Sequence, residues 1–400
     1  MIKSFIEAAP VLERLIHAGY EAYFVGGSVR DYLLDKPISD VDIATSATPS
    51  EIKAVFSKTV DIGIEHGTIL VLYKNNSYEI TTFRSEAEYE DFRRPKEVKF
   101  IRSLKEDLQR RDFTMNAIAM DREGLIIDPF GGKKSIVEKS IQTVGQADDR
   151  FREDALRMMR AVRFVSQLSF TIEEDTFQAL IKNRQLLEKI ATERKRAEFE
   201  KLLTGQDRRK ALKLLLNAGI YKYLPAMEMH EMSLSRLFQV NCDFLTLNEM
   251  WALILYCLEH KDKKSAESFL REWKLPVKQI KDIQSIHYYF TERFNSTWHK
   301  YDLYLAGKET ILSSQRVFEA VAGKEEPSLK EHFSRMYDKL PIKNRADLAV
   351  TGSELMSWFN RDGGPWVKEA MESIERAVLE EKVRNSTAEI KEWLLNCSQS

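Results

Sequence analysis

The stretch YFVGGSVRDYLLDKPISDVDIAT, Tyr23 to Thr45, sets two aspartates, Asp40 and Asp42, one residue apart downstream of a paired glycine. Side chains at i and i+2 share one face of a β-strand, so a strand through DVDIAT would hold both carboxylates together, where they repel. Such a pair calls for a positive charge between its members. Paired aspartates with a third carboxylate on a neighbouring strand form an oxygen-rich seat for one or two Mg2+ ions. Glu79 in SYEITTF is the candidate third member, since strand alternation points it away from Tyr78 and Ile80. Two metals about 4 Å apart can activate an attacking hydroxyl and steady a leaving phosphate oxygen, which is phosphoryl-transfer chemistry.

A calcium loop is the sharpest competitor, because Asp40, Asp42 and Glu51 fall at positions 1, 3 and 12 of an EF-hand. Position 6 needs glycine for the turn and is Thr45 here, so the match fails where the geometry is strictest. A surface turn would explain DVD if it stood alone. It follows GGSVRDYLL, where Gly26 and Gly27 permit close backbone approach and Ser28 can cap the next helix. Exposed amides at that turn, with Arg30 added, can grip a triphosphate.

The rest of the chain bounds this reading. Four hundred residues, 43% apolar and 31% charged, describe a water-soluble globular protein of two or more domains. Cys242, Cys257 and Cys397 lie far apart without CxxC spacing, so neither a zinc site nor a disulfide framework is indicated, and a reducing cytoplasm is expected. The opening MIKSFIEAAPVLERLIHAGY carries Glu7, Glu13 and Arg14, which is wrong for a signal peptide, and the longest apolar run, MWALILYCL from Met250, is too short to span a membrane. A net charge of −1 argues against a nucleic-acid partner only as a sum. Polyanions respond to local patches, and basic residues crowd at FRRPKEVKFIRSLKEDLQRRDF and at ERKRAEFEKLLTGQDRRKALK.

Short β-branched runs (AYFVGG, DVDIAT, GTILVLY, SYEITTF, GLIIDPFGG) fill the first third, and from about Lys139 helical spacing replaces them. The expected fold is therefore α+β: a mixed-sheet domain followed by an all-helical extension. Prolines in KEEPSLKEH and KLPIKNRADL read as helix stops, and RDGGPWVKEAM as a turn opening the last helical block.

GGSVRD followed by SDVDIAT resembles the polymerase β-like nucleotidyltransferase superfamily. RRDFTMNAIAMD from Arg110, DPFGGKKSI from Asp128, EDALRMMRAVRF from Glu153 and ERKRAEFEKLL from Glu193 resemble the ordered motifs of tRNA nucleotidyltransferases, the CCA-adding enzymes of the bacterial and eukaryotic class. DLAVTGSELM through GGPWVKEAM is similar, more loosely, to their bacterial C-terminal module, with Lys368 where a glycine is common. The resemblance implies a catalytic head (1–140), a neck with the nucleotide-selecting helix (141–205), a body (206–292) and a tRNA-binding tail (293–400), elongated as a whole. It also implies Mg2+ on Asp40 and Asp42, CTP and ATP as substrates, and the acceptor end and elbow of tRNA as partner. Arg111 is implied to touch the nucleotide, and Arg160 and Arg163 to lie near its phosphates or base. Spacing alone leaves Arg163 free to serve packing or a salt bridge, and leaves Asp112 and Asn116 free to orient arginines or the sugar.

The base choice can be read from chemistry. Asp154 and Arg157 lie three apart, so a helix would put them on one face. Asp only accepts and Arg only donates hydrogen bonds. Cytosine and adenine both present an amino donor beside a ring-nitrogen acceptor, whereas uracil and guanine present the reverse, so a fixed Asp–Arg pair favours C and A without a template. Each mispaired buried group would cost about 1–3 kcal/mol.

FRSEAEYEDFRRPKEVKF, Phe83 to Phe100, has the composition of a mobile loop. In the family, a loop here aids the switch from C to A, and its apparent full length argues against an enzyme that adds only CC. No histidine begins a His-Asp pair, so a metal phosphohydrolase module has no support, and His66 reads as a strand-edge residue. The expected activity is stepwise addition of C, C and A to tRNA. Its rivals are an A-only enzyme, a poly(A) polymerase, and a non-catalytic tRNA-binding or metal-buffering protein. No membrane partner is expected, and the oligomeric state is open, a homodimer among the options.

Overall fold

Helix α1 (Lys3–His17) buries Phe5, Ala8, Val11, Leu12 and Leu15, one stripe at helical spacing, as its sequence period requires. It belongs to the first of two units, Met1–Glu231 and Met232–Ser400, of a computed structural model that describes residues 2–86, 89–90, 94–95, 98–294, 298–324 and 326–397. In this unit follow β1 (Ala22–Val25), α2 (Gly27–Leu33), β2 (Asp42–Thr45), α3 (Pro49–Val55), β3 (Thr59–Gly63), β4 (Thr68–Tyr73) and β5 (Asn76–Thr82). An arm of short strands comes next: β6 (Arg84–Glu86), β7 (Tyr89–Glu90), β8 (Arg94–Pro95) and β9 (Val98–Phe100). The sheet resumes after α4 (Leu104–Gln109) with β10 (Ala119–Met120) and β11 (Ile126–Ile127).

The resulting seven-stranded sheet has the order β11-β10-β1-β2-β5-β4-β3. All its neighbouring strands are antiparallel except β2 and β5, which makes the sheet mixed. In that parallel pair Ile43 stands opposite Ile80 and Asp42 opposite Glu79. Ile43, Ala44 and Thr45 are buried, as are Tyr78, Ile80 and Thr82 on alternate positions of β5, so the two acids are left at the end and on the outward face of a sheet whose register the apolar side chains fix. Helix α3 starts on a capping box in which Thr48 accepts from the Glu51 amide and Glu51 accepts from the Thr48 amide. Glu51 therefore closes a helix cap, which disposes of the calcium-loop reading.

The helices of this unit continue with α5 (Gly132–Val137), α6 (Ala147–Glu153), α7 (Leu156–Leu168), α8 (Glu174–Asn183), α9 (Thr192–Leu203) and α10 (Arg208–Asn217), with β12 (Ser140–Ile141) pairing parallel to β13 (Thr171–Ile172) between them. Helix α7 is buried around nearly its whole girth, against α9 and α10, and stops at Ser169 in the left-handed conformation. EDALRMMRAVRF is not one helix, however. Asp154 is extended between α6 and α7, and its Oδ1 accepts the Leu156 amide at 3.0 Å. An aspartate that satisfies a free amide of the next helix competes with helix continuation, so Asp154 and Arg157 do not share a helical face.

After α11 (Glu231–Ser235), the second unit is helical throughout its described residues: α12 (Leu247–Cys257), α13 (Lys263–Glu272), α14 (Val277–Glu292), α15 (Lys300–Ala306), α16 (Lys308–Ala322), α17 (Pro327–Asp338), α18 (Gly352–Phe359), α19 (Pro365–Leu379) and α20 (Thr387–Cys397). The run MWALILYCL lies in and just after α12 and is core, with Trp251 edge-on to Trp273 at 5.2 Å. No helix of the described residues is long and apolar enough to cross a membrane. Pro327, read as a stop, instead occupies the first position of α17, where its missing N–H costs nothing. The fold is α+β, a mixed-sheet head followed by helices.

Candidate active site

The site begins at the turn from β1 into α2. Gly26 has φ +70°, and a Cβ there would stand 2.9 Å from Arg111 Nη1 and 3.8 Å from Asp42 Oδ2. The positive φ calls for glycine, and the lack of a Cβ lets the end of the Arg111 side chain press against the turn. The turn, Arg111 and Asp42 thus meet at one point. Ser28 is not the helix cap: the N-cap is Gly26, and Ser28 Oγ, inside the first turn, donates back to the Val25 carbonyl at 3.0 Å. Gly27 leaves its space beside the Arg30 guanidinium.

Strand β2 starts only at Asp42, with Asp40 two residues ahead of it, so the pair does not lie on one strand. They are nonetheless close enough to interact. Asp42 is the exposed first residue of β2, ahead of three buried ones. Desolvation raises its carboxyl above the usual range, Glu79 and Asp40 raise it further, and Arg111 only partly opposes them. Among the described residues no three His, Cys, Asp or Glu side chains form a ready-made metal cage. The donors fit a different design: hard carboxylate oxygens held under mutual repulsion, leaving positions for water and phosphate oxygens, which is how Mg2+ is commonly bound.

Arg111 Nη2 lies 3.3 Å from Asp107 Oδ2, and its Nε is buried without a hydrogen-bond partner. A buried N–H in that condition awaits an acceptor. Asp107, 1% exposed, also takes Arg110 Nε at 3.0 Å and Nη2 at 2.8 Å, and the Arg84 amide of β6 at 3.3 Å. Burial would raise its carboxyl, yet Arg110 and Arg111 hold it below the usual range.

A second polar chain runs from α2 to α9. Arg30 Nε donates to Asp31 at 2.9 Å and Nη1 to Asn116 Oδ1 at 2.7 Å, and Asn116 Nδ2 donates to Asp112 Oδ1 at 3.0 Å. Asp112 Oδ2 accepts Arg160 Nε at 2.7 Å. Arg160 also approaches Glu198 at 4.0 Å, and Arg163 donates to Glu198 and to Gln167, each at 2.5 Å. Burial alone would raise Asp112, but Arg160 and Asn116 reverse this and hold its carboxyl far below the ordinary range. Arg30, Arg160 and Arg163 are therefore engaged with protein groups, and Asp112 with Asn116 orients arginines.

Asp154 and Arg157 are near each other in sequence but have other partners. Asp154 Oδ2 takes Arg194 Nη2 at 2.8 Å, while Arg194 Nη1 is buried without a partner. Arg157 Nη1 donates to Glu153 at 2.6 Å and to the Arg150 carbonyl at 3.2 Å, and Nη2 to the Arg110 carbonyl at 3.0 Å. The last bond ties α7 to the residue beside Arg111.

Asp107, Glu198 and Arg194 were not singled out from the sequence. Asp107 had a signal, since it precedes Arg110 and Arg111 by three and four residues, the spacing of ion pairs on a helix. The segment Phe83 to Phe100, expected as a mobile loop, is anchored by β6 pairing antiparallel with β9, Arg84 opposite Phe100; its residues 87–88, 91–93 and 96–97 lie outside the described residues.

Three family models match the chain: the poly A polymerase head domain over residues 22–142, the probable RNA and SrmB-binding site of polymerase A over 169–230, and the putative tRNA nucleotidyltransferase domain 2 over 243–394. The chain is 46% identical to the CCA-adding enzyme of Bacillus cereus strain B4264 over 398 residues, 99% of this chain and 100% of that one. It is likewise 46% identical to the CCA-adding enzyme of Geobacillus sp. strain WCH70, over 99% of this chain and 98% of that one. Among solved structures, the Bacillus stearothermophilus CCA-adding enzyme in complex with CTP superimposes with a TM-score of 0.93 at 44% identity, covering 100% of this chain and 98% of that one. The Thermotoga maritima CCA-adding enzyme complexed with tRNA shares the fold at a TM-score of 0.63 and 23% identity, over 99% of this chain and 96% of that one.

Proposed function

Because the chain belongs to the CCA-adding enzymes, we propose that its site works through Asp40 and Asp42 as the seat of Mg2+, with Glu79 beside them and Arg111 at the phosphates. The protein adds C, C and A in turn to the 3′ end of tRNA, from CTP and ATP, without a nucleic-acid template. When bound, Mg2+ neutralises phosphate charge and makes the attacking hydroxyl easier to ionise. The RNA 3′-hydroxyl attacks the α-phosphorus in line, a P–O bond forms to the tRNA, and the bond to pyrophosphate breaks. The chain's part is positioning and electrostatics more than proton transfer by a side chain.

The observation that carries this reading is the convergence of Gly26, Arg111 and Asp42 at one turn, with a buried Arg111 N–H still lacking an acceptor. A triphosphate oxygen is the acceptor that group calls for. The Gly26–Gly27 turn lets the phosphates approach the backbone, while Ser28 and Arg30 hold the turn and α2 in place through Val25 and Asn116.

Base choice falls to Asp154 and Arg157. A carboxylate oxygen has a second lone pair, so Asp154 can accept the amino group of C or A while Arg194 keeps it oriented. Arg157 must exchange one of its carbonyl or carboxylate partners for the ring nitrogen of the base. Arg160 and Arg163, held on Asp112 and Glu198, keep α7 in register behind that pair. Residues 1–140 then serve as catalytic head, 141–205 as neck, 206–292 as body and 293–400 as tail on the tRNA. Such work belongs in the cytoplasm.

A product ladder tests the function. Purified protein with Mg2+, CTP, ATP and a tRNA lacking its CCA end is expected to add two C and one A and then stop. A long A tract, or addition of A to a CC end without any C, would replace this reading with that of a poly(A) polymerase or an A-only enzyme.

A further inference from the structure

The helices α13 and α14 of the second unit frame a cleft of about 490 Å³ that no step of the reaction uses. Lys261 and Lys263 line it at the start of α13, and Lys281 lines it from α14. All three are exposed, and none has an ion-pair partner among the described residues. The acid in the wall, Asp262, is turned to another purpose: its Oδ1 accepts the Lys264 and Ser265 amides, each at 2.9 Å, and caps α13.

The wall between the lysines is built rather than fluid. Gln284 is 7% exposed, and its Nε2 donates to the Lys263 carbonyl at 2.7 Å, which ties the two helices together at the cleft. Burial, with His260 nearby, pushes the His287 imidazole down to about 4, so it is neutral at pH 7 and adds no charge. Tyr288, set T-shaped against Tyr289 at 5.0 Å, is still 57% exposed beside these lysines. Unpaired ammonium groups flanking an open aromatic ring match one chemistry well: phosphates on the cations and a nucleobase against the ring.

We infer that this cleft is an RNA subsite, in which the ribose-phosphate backbone of the tRNA lies along Lys261, Lys263 and Lys281 and one unstacked base rests on Tyr288. The assignment rests on the tRNA reading above. Three separated charges suit a polyanion running past both helices better than a single small anion. With a net charge of −1, the chain attracts a polyanion through local patches, of which this is one.

The experiment is a titration of the full-length protein with labelled tRNA lacking CCA, read by fluorescence anisotropy over a series of KCl concentrations. For the double variant Lys261→Gln/Lys281→Gln, the plot of log affinity against log salt should become shallower by about 1.5, since each lost phosphate contact removes about 0.7–0.9 from the slope. Its Kd at low salt should rise roughly tenfold. Tyr288→Ala should raise Kd by roughly fivefold or more with the slope unchanged, because stacking releases no counterions. CTP binding by each variant checks that the chain is folded. Wild-type affinity and slope in both variants overturn the subsite, as does free ATP displacing tRNA from the wild type but not from the double variant, which would make the cleft a small-nucleotide site. Incorporation of C, C and A by the wild-type protein is measured in the same preparation. If it fails, the functional reading has failed; if it succeeds while the variants bind normally, only the subsite has.

Discussion

Two sets of carboxylates in the first unit meet positive charge in opposite ways. Asp107, Asp112 and Glu198 are nearly inaccessible, and each lies against guanidinium groups at hydrogen-bonding distance. Asp42 has Asp40 and Glu79 for neighbours, with Arg111 as the opposing charge. Accordingly Asp107 and Asp112 hold their protons less readily than free aspartate, and Asp42 holds its own more readily. The paired set is a frame, complete without ligand. The strained set is incomplete, and a protein that tolerates such repulsion keeps it for function.

The largest effect should come from removing the strain. Asp42→Asn keeps the shape of the side chain and deletes one charge, so nucleotide incorporation should fall by more than about 1,000-fold, as expected when charge stabilisation at a phosphoryl centre is lost. Stability should move the other way. Ionised Asp42 is disfavoured in the folded state, so its charge lowers stability above the ordinary carboxylate range, and the variant should melt about 1–2 °C higher. A variant that stays active, or melts below the wild type, would break the contrast between frame and site.

Next comes the frame. Asp112→Ala takes the nearest carboxylate from Arg160 and leaves it the more distant Glu198 at 4.0 Å and the weaker field of Asp154. Breaking a fully buried pair from one side costs about 3–5 kcal/mol; because the Arg160 side chain is 34% exposed, a smaller loss of about 1–3 kcal/mol is expected, and urea unfolding should show it. The pair Asp112→Ala/Arg160→Met should recover part of that loss, since no orphaned charge remains. The sign with pH is also fixed. The carboxyl of Asp112 is depressed, so its contribution is present above the ordinary aspartate range and lost only as pH falls through its lowered value. A wild-type urea midpoint for Asp112→Ala would remove Asp112 from the frame.

The two sets also differ in how far they could be read from sequence. Gly26, Asp42 and Glu79 could be brought together from local rules, a glycine turn and strand alternation, and the β2–β5 register sets Asp42 against Glu79, whereas Asp40, expected on the same strand face, lies ahead of β2. The frame was largely hidden. Arg160 lies 48 residues from Asp112, and Arg163 lies 35 from Glu198; nothing in local spacing selects such partners. The helix break at Asp154 was missed for a related reason. Apolar periodicity runs through EDALRMMRAVRF, whereas the break is set by one side chain capping one amide. Ser28 as a cap is off by two positions, because Gly26 at positive φ begins the helix earlier than a serine cap would.

The smallest effect is a shift along the pH axis, and it tests whether repulsion at Asp42 is real. On the proposed reading, Asp42 must be ionised to seat a cation. Its carboxyl is raised first by desolvation and then by Glu79 and Asp40, so the acid limb of kcat/KM for CTP should lie above the ordinary aspartate value of about 3.9. Asp112, depressed, stays charged over the same interval and cannot produce that limb. Glu79→Gln removes one repelling charge and should move the limb to lower pH, even if the plateau also drops. Added Mg2+ should move it the same way, because a cation favours the ionised form. The profiles are best compared at limiting Mg2+, where the carboxylates feel mainly one another. A limb indifferent to both Glu79→Gln and Mg2+ would mean that the rate follows another group, and Glu79 would then be only the outward face of a strand.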